Sequence, residues 1–471
     1  MKTSSCVNYI CAALFMASLS FVPASAQDLS LEECLRMASE NDPYLCNARL
    51  DTRASQLRKQ EAFCEFFPSA SVNAIGFHAL NPLLRIGVRD VLGNSDAANN
   101  IKNYVNTVAP MYGIKPVYET LQFGYGATLG LTQPIYAGGR IVNGNRLARL
   151  GIEAARLQEG LQEKKTALEV EKKYWQLLSL QEKSQTLDRA MELLDTLSRD
   201  LTSLRAAGIV TDSELQQLRL KQGELRKDRL RLKGGMRLAK MDLFNAIGLQ
   251  YSCTGAGATA SDGTPLPFID DIRVDSLPDR LEAPRTYFIP EEQQARATGE
   301  ARLLELQLSA KELEKKMILG ESLPTLGLGA SAGYGRYVGD GNFNGIVYAM
   351  LKVPISDWGK NSRKLQRQET EVLKARNEKE YLDAQLILRS RQLWLELELA
   401  WEQLLLSEEN VTFVGDELSR CQSSFEAGLV TLSELMQAQT ALRQAQDSLT
   451  DDRIAYRTAI AEYLSYSSGM P

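Results

Sequence analysis

The chain has 471 residues, a net charge of −5 and 44% hydrophobic residues, which is the composition of a folded protein and excludes a disordered one. Its single histidine, His78, excludes catalysis by paired histidines and metal sites built from several histidines. The mild acidity gives no reason to expect a nucleic-acid partner. No constellation of nucleophile, base and acid is recognisable, so we expect neither an enzyme nor a bound cofactor or metal.

The N-terminus has the pattern of an export signal. Lys2 supplies a weak positive charge, residues 9–22 are mostly apolar, and Ala24 and Ala26 fit the small-residue rule for cleavage. We predict a signal peptide over residues 1–26, with a buried N-terminal helix as the alternative interpretation. Beyond Ala26 no apolar run approaches the roughly 18 residues of a membrane helix, so none is expected.

Two helices are predicted at the start of the exported chain. Ser30 and Glu33 have the spacing of a capping box, which begins the first helix. Pro43 begins a second helix, which should run to about Phe66. We expect the repeat copy of this second helix over about Pro290–Ser322.

Five cysteines remain after signal cleavage: Cys34, Cys46, Cys64, Cys253 and Cys421. An odd number at irregular spacing indicates neither a zinc site nor a disulfide framework. Burial on helix faces is the favoured interpretation. A Cys34–Cys46 or a Cys46–Cys64 disulfide is left open as the alternative in an oxidising compartment.

After each second helix comes a proline, Pro68 or Pro324, where the sequence period changes from helical to two. Four strands are predicted, beginning near Ser69, Leu121, Leu326 and Phe343. One face of each strand is apolar and the other is small and polar. This alternation fits both a soluble sandwich and a membrane barrel with a wet lumen.

The first predicted hairpin carries an insertion. The interval from Pro68 to Pro134 is more than twice as long as the interval from Pro324 to Pro354. The extra residues fall around 80–119 and are rich in asparagine and proline. We predict a loop there, extracellular if the strands form a membrane barrel.

Two long proline-free stretches follow the hairpins. The first, from Gly139 to Ala206, carries leucines seven residues apart: Leu180, Leu187, Leu194 and Leu201. The second carries the same spacing at Leu404, Val411, Leu418 and Phe425. This is coiled-coil periodicity, and at 1.5 Å per residue each helix would be about 100 Å long. Helices of this length must pack laterally on other helices.

The chain is an internal duplication. The spacing from Pro134 to Pro354 equals that from Gly208 to Gly428, the glycines that end the two long helices. Return helices are expected over Ser213 to about Ile247 and Ser433 to about Tyr466. The predicted organisation is a first repeat over residues 27–249, a linker or outer belt over 250–285, and a second repeat over 286–471.

Four strands per chain cannot close a barrel in a bilayer, because an open sheet edge leaves backbone groups unpaired in lipid. Known membrane barrels need at least about eight strands, so membrane strands would require an oligomer. Two chains would supply eight strands, and three would supply twelve and leave room for a channel. The predicted fold class is therefore mainly α with membrane β, built from duplicated coiled-coil hairpins and a shared barrel.

These motifs resemble the TolC family of outer-membrane efflux channels. The resemblance rests on the helix interrupted at Pro43, the segments that begin at Pro134 and Pro354, and two Ala-Gly-x-Val-Thr-x-Ser-Glu-Leu turns, and it covers about residues 29–467. It implies a homotrimer with a twelve-stranded barrel in outer-membrane lipid of a Gram-negative bacterium and an α-helical tunnel in the periplasm. It also implies docking to a periplasmic adaptor (membrane fusion) protein and an inner-membrane pump. The chain itself would be a passive exit duct for a drug, a metal, a small molecule or a protein.

The resemblance also implies a periplasmic gate. In the family, acidic residues just after the glycine turn line the closed tip, and Glu434 and its repeat copy Glu214 occupy the matching positions. Gln437, matched by Gln217, stands where many relatives carry a second acid, and Val430 replaces a basic gate residue of some members. Six glutamates in a trimer would favour cations.

The turns beside these glutamates would face the adaptor: Gly208, Ile209, Val210 and Thr211 in the first repeat, and Gly428, Leu429 and Thr431 in the second. Thr211 with Glu214, and Thr431 with Glu434, also have the spacing of capping boxes. Helix capping alone is therefore the alternative to a gate role for these glutamates.

The remaining candidate positions are strand–helix junctions: Pro134, Gly139 and Arg140 in the first repeat, and Pro354, Gly359 and Lys360 in the second. The glycines there lack the spacing of a nucleotide-binding motif, so we expect them to shape the backbone.

Two further function classes compete with an export duct. A soluble periplasmic coiled-coil scaffold or adaptor would explain the long helices, but the paired amphipathic strands count against it. An exported enzyme is the other, and no catalytic constellation supports it.

Overall fold

The computed structural model describes residues 28–81, 83–87, 95–113, 117–120, 122–206, 211–253, 255, 266–275, 281–337 and 340–467. The predicted signal peptide lies outside these described residues. Across the described ranges, no helix combines the length and the apolar character that a membrane span needs.

The elements of the first repeat follow the predicted order of short helices, hairpin, long helix and return helix. They are β1 (Asp28–Leu29), α1 (Leu31–Asn41), α2 (Pro43–Cys64), β2 (Ser69–His78), β3 (Leu84–Gly87), α3 (Asp96–Val108), β4 (Val117–Thr120), β5 (Phe123–Ala137), α4 (Arg140–Ala206) and α5 (Asp212–Ile247).

The second repeat has the same order after a short strand from the predicted linker. Its elements are β6 (Arg273–Val274), α6 (Glu291–Ala297), α7 (Gly299–Glu321), β7 (Thr325–Arg336), β8 (Asn342–Lys352), α8 (Lys360–Glu426) and α9 (Leu432–Ser467). The two long helices, α4 and α8, have 67 residues each, and the two return helices have 36 each. The predicted duplication of the helical lengths is therefore confirmed.

The four main strands form one antiparallel sheet in the order β2-β5-β7-β8. Ser69 pairs with Thr132 in the first hairpin, and Thr325 pairs with Lys352 in the second. These pairs are repeat copies of each other, so the duplication extends to the strand register. The middle ladder joins the repeats, from Tyr125 opposite Arg336 to Ala137 opposite Thr325.

Pro134 lies inside β5 and not at the predicted strand–helix junction. It faces Gly327 in the ladder between β5 and β7, and the register shifts between Pro134 and Tyr136. A bulge tolerates a residue that has no N–H to donate, which explains how the strand continues to Ala137. In the second repeat the strand ends at Lys352, before Pro354.

The prediction of a loop over residues 80–119 is wrong in part. The insertion contains α3 and a short antiparallel ladder of β3 with β4. The Ser95 hydroxyl accepts a hydrogen bond from the Ala98 N–H at 3.2 Å, which caps α3, and Asp96 follows in the first turn. These polar residues are helix-start signals as well as turn signals, which is why the polar composition alone misled the prediction.

The helix predicted over Pro290–Ser322 is broken between α6 and α7. Thr298 is extended, with φ −69° and ψ 147°, and its hydroxyl accepts a hydrogen bond from the Ala301 N–H at 3.2 Å. Thr298 thus caps α7 immediately before Gly299. The break is the repeat copy of the interruption at Asp42 and Pro43, so the two repeats are more alike than the proline pattern indicated.

The chain forms two compact units. One contains residues up to Asp51, Arg156–Leu303 and the residues from Glu380 onward, and the other contains Thr52–Ala155 and Leu304–Lys379. Both repeats contribute to both units. The division at 249 and 286 therefore remains a prediction about the sequence repeats, and it does not coincide with the compact units.

In the first unit, one apolar core holds the predicted linker. Ile269, Ile272 and Val274 are buried there, and β6 pairs in parallel with β1. The Tyr174 hydroxyl donates to the Leu29 carbonyl and accepts from the Asp275 N–H, both at 3.1 Å. Part of the 250–285 segment is thus packed against the helices, because its apolar residues supply area to this core.

The heptad leucines of α4 pack as predicted. Leu187, Leu194 and Leu201 are buried in a second core of the first unit. In a third core, Trp394 contacts Tyr463 and Trp401 contacts Tyr456, with ring centroids 5.5 and 5.0 Å apart. Both tryptophans therefore have aromatic packing partners in this core.

All five cysteines in the described chain are free thiols, so neither alternative disulfide is formed. Cys34 is buried in the core beside β1, and this burial raises the pKa of its thiol to about 12. A protonated, buried thiol behaves as a small apolar side chain. Cys64, at the end of α2, is exposed.

Candidate functional site

The first candidate gate residue, Glu214, closes a capping box at the start of α5. The Thr211 N–H donates to Glu214 Oε2 at 2.9 Å, and the Glu214 N–H donates to Thr211 Oγ1 at 3.4 Å. The Thr211 hydroxyl also donates to Glu214 Oε2, at 2.8 Å. These contacts satisfy two N–H groups that a helix start leaves unpaired.

The same geometry recurs at the start of α9. The Thr431 N–H donates to Glu434 Oε2 at 2.7 Å, and the Glu434 N–H donates to Thr431 Oγ1 at 3.3 Å. The predicted capping role is therefore confirmed for both glutamates. Capping leaves the carboxylates at the protein surface, so it is compatible with the predicted gate role.

Hydrogen bonds lower the pKa of Glu214, first the one from the Thr211 N–H and then the one from the Thr211 hydroxyl. A depressed folded-state pKa means that the stabilisation exists above the unfolded pKa of about 4.3 and is lost as pH falls through the folded value.

We expect Glu214→Gln to lower the free energy of unfolding at pH 7 by less than about 1 kcal/mol, because the carboxylate is near solvent. Glutamine can still close a capping box, so the substitution removes mainly the charge. Denaturant titrations of wild type and variant at pH 7 and at pH 3.5 would measure this, and the difference should be smaller at the lower pH, where more of the carboxylate is protonated. An equal difference at both values would mean that the charge does not contribute.

Gly428 ends α8 in a left-handed conformation with φ 74°. The Gly428 N–H donates to the Phe425 carbonyl and the Leu429 N–H donates to the Ser424 carbonyl, both at 2.9 Å. This Schellman arrangement reverses the chain, and it leaves the Leu429 side chain 79% exposed. The first-repeat turn residues Gly208, Ile209 and Val210 lie outside the described residues.

Gln217 and Gln437, one turn beyond the glutamates, are exposed, and Val430 is half-buried. The start of α9 packs on the first repeat, because Leu432 is buried in one core with Leu201 and Leu218. The Gln439 side-chain amide also donates to the Ala190 carbonyl at 3.2 Å. The structure thus joins the second-repeat turn to α4 and α5, which the sequence motifs did not predict.

At the junction of β5 and α4, two successive glycines have positive φ, 62° at Gly138 and 75° at Gly139. A Cβ on Gly138 would lie 2.2 Å from the Gly320 carbonyl oxygen, near the end of α7. Arg140 begins α4, and its Nε donates to the Ala137 carbonyl at 3.3 Å. Gly138 and Gly320 thus approach so closely that neither position has room for a side chain, and the repeated motif did not predict this contact.

The junction of β8 and α8 also has two successive residues with positive φ, and a carboxylate caps the start of its helix. The Asp357 carboxylate accepts hydrogen bonds from the Gly359 N–H at 3.1 Å and from the Asn361 N–H at 2.7 Å. Trp358 and Gly359 have φ values of 54° and 77°, and Lys360 begins α8. Asp357 and Trp358 were not predicted as functional, although an Asp three residues before a helical run is a recognised start signal.

Across the described residues, no group of three or more His, Cys, Asp or Glu side chains could hold a metal ion. Comparison with known sequences gives one family. Residues 320–463 match the family model described as outer membrane efflux protein. No curated protein sequence matches the chain.

Solved structures of outer-membrane proteins resemble the chain over nearly its whole length. VceC from Vibrio cholerae has a TM-score of 0.69 and 14% sequence identity, with 94% of this chain and 97% of that chain covered. The CmeC channel of Campylobacter jejuni gives 0.70 and 14%, with 96% and 90% covered. The open state of MtrE from Neisseria gonorrhoeae gives 0.66 and 14%, with 96% and 93% covered. At these identities the similarity establishes the fold.

The family match and these folds together confirm the resemblance to the TolC family and the predicted class of duplicated helical hairpins with four strands. The description of the matched family also agrees with the predicted location in the outer membrane. The matched family consists of efflux proteins and is not a family of enzymes, in agreement with the function class that the sequence favoured.

Proposed function

We propose that this protein is the exit duct of a tripartite efflux or type I secretion system. Residues 320–463 match the outer membrane efflux protein family, and the chain has the fold of outer-membrane channels. It conducts substrates passively from a periplasmic adaptor and an inner-membrane pump to the cell exterior. It works as a homotrimer whose chains share one twelve-stranded barrel.

The open sheet edges are the observation that carries this proposal. β2 and β8 end the four-stranded order, and neither has a second neighbour within the described part of the chain. Every residue of β8 is exposed, including Val347 at 81% and Leu351 at 65%. Apolar strands with unpaired edges are not tolerated in lipid, so β8 of one protomer must pair with β2 of the next.

The duplication supports one register for that pairing. Gln133 in β5 faces Leu328 in β7, and their repeat copies are Val353 and Val72. We therefore place Val353 opposite the neighbouring protomer's Val72. The side chains of Val353 and Val72 are 51% and 72% exposed in the single chain, and pairing would cover them.

The turn at Gly428 supports docking to an adaptor. Leu429 offers an apolar side chain to solvent at a position fixed by the Schellman hydrogen bonds. An ordered, exposed apolar turn fits an interface anchor better than a free loop does, because less conformational entropy is lost on binding. Glu214 and Glu434 lie in the next helical turn and supply the proposed gate charges.

We expect the detergent-extracted mature protein to be a trimer with channel activity. Light scattering corrected for bound detergent would give the protein mass, and planar-bilayer recordings would give the conductance. A monomer or dimer that stays in solution without detergent would contradict the proposal and favour the soluble scaffold or adaptor. A trimer without conductance would retain the assembly and place a closed gate in the resting channel.

A further inference from the structure

Trp358 is a large apolar residue whose exposed side chain has no packing partner among the described residues of the single chain. Its side chain is 99% exposed and its φ is 54°, a backbone region that costs free energy for any residue except glycine. Its repeat copy, Gly138, has φ 62°. The junctions thus share a backbone shape, but only the second carries a large side chain on it.

The surroundings of Gly138 show what this position touches. Its added Cβ would meet the carbonyl oxygen, carbonyl carbon and Cα of Gly320 at 2.2, 2.9 and 3.1 Å. Gly320 lies near the end of α7, the helix that precedes the next strand in the sheet, β7. The first strand-to-helix junction therefore contacts the helix end that precedes β7, and the duplication predicts the same arrangement for the second junction.

Within the described part of the chain β8 pairs only with β7, so by repeat symmetry the strand that corresponds to β7 for the second junction belongs to another protomer. Trp358 follows β8, and the strand next to β8 in the proposed ring is β2 of the neighbouring protomer. The helix that precedes β2 is α2, and the repeat copy of Gly320 in α2 is Cys64. Cys64 is exposed in the single chain, as a residue at an uncovered interface would be.

The end of α2 is aromatic, whereas the matching end of α7 has no aromatic side chain at these positions. An exposed cluster there consists of Phe63, Phe66 and Phe67. The ring centroid of Phe63 lies 5.9 Å from that of Phe66 and 5.4 Å from that of Phe67. The three phenylalanines are 48%, 38% and 55% exposed. Their copies in the second repeat are Leu319, Ser322 and Leu323.

We propose that Trp358 of one protomer packs against Cys64 and the phenylalanine cluster of the neighbouring protomer, anchoring the trimer just outside its barrel. The inference rests on the proposed trimer. Within a chain, the contact between the two repeats is made by Gly138 and Gly320. In the proposed contact between chains, Trp358 takes the place of Gly138 and packs on an aromatic surface. Buried tryptophans commonly carry a large share of interface stability, because they remove much apolar area from water.

Trp358→Cys tests this arrangement with the native Cys64 as partner. A disulfide forms only when the two Cα atoms lie about 4.4–6.8 Å apart. We expect mild oxidation of membranes to give covalent dimers and trimers on non-reducing gels, and reduction to return monomers. The variant Trp358→Cys with Cys64→Ser should give none, and neither should the wild type.

Val72→Cys with Val353→Cys, made in a Cys64→Ser background, separates failure of the anchor from failure of the proposed trimer. Cross-linking of this pair without cross-linking of Trp358→Cys would overturn the anchor and keep the shared barrel. If neither variant cross-links and the extracted protein is not a trimer, both the anchor and the proposed trimer fail.

The anchor should also be visible in the heat stability of the trimer. We expect Trp358→Gly, which copies Gly138, to lower the temperature at which trimers dissociate in detergent, and Trp358→Phe to restore part of the loss. Unchanged dissociation in Trp358→Gly would overturn the proposal. So would quenching of the Trp358 fluorescence by brominated lipid, because it would assign the side chain to the bilayer.

Discussion

Gly138→Ala is expected to destabilise the protein by about 2–5 kcal/mol. Alanine at positive φ costs about 1–2 kcal/mol, and forcing a methyl group into a packed site adds about 1–3 kcal/mol. The methyl carbon would stand 2.2 Å from the Gly320 carbonyl oxygen, a backbone atom that cannot rotate away. Denaturant midpoints and the yield of membrane-inserted trimer would measure the loss.

Gly139→Ala is the matched control for the collision. Gly139 also has a positive φ, 75°, but its added Cβ would come no closer than 3.7 Å, to the Asn143 side chain. This variant should therefore lose only the backbone part, about 1–2 kcal/mol. Equal losses at Gly138 and Gly139 would mean that the contact with Gly320 does not limit the junction.

The double substitution Glu214→Gln with Glu434→Gln is expected to lower the cation preference of the open channel several-fold. In a trimer it removes six carboxylates, and rings of acidic side chains favour cations in a narrow pore. Glutamine keeps the capping-box geometry, so the fold should be nearly unaffected. Reversal potentials under a salt gradient would measure the selectivity.

Thr211→Ala with Thr431→Ala is the converse control. It keeps both carboxylates and removes the hydroxyls that accept from the Glu214 and Glu434 N–H groups. We expect about 1 kcal/mol of lost stability per cap and an unchanged reversal potential. Unchanged selectivity in the glutamine variant would leave capping as the whole role of these glutamates.

Sequence reasoning was most accurate where a local rule decided the structure. The heptad leucines predicted α4 within a residue or two, and both capping boxes formed at the threonines that the spacing indicated. Strand starts near Ser69 and Thr325 followed from the change of period after Pro68 and Pro324. Such patterns are read within a few residues of the chain, so distant contacts do not alter them.

Errors arose where one signal had two meanings. Asparagine and serine around residues 94–100 indicate turns, but Ser95 also caps a helix. The absence of proline between Pro290 and Leu323 indicated one helix, but Thr298 ends one and begins another. In both cases a side-chain hydroxyl competed for backbone N–H groups, which periodicity does not detect.

The sequence by itself determined the duplication, the lengths of the helices, the strand alternation and the capped turns, because each depends on residues close together in the chain. Only the tertiary structure decided the contact of Gly138 with Gly320, the burial of the predicted linker beside β1, and the packing of Leu432 against α4 and α5. These contacts join segments far apart in sequence. They are fixed by which surfaces meet when apolar area is removed from water, and no local pattern records that choice.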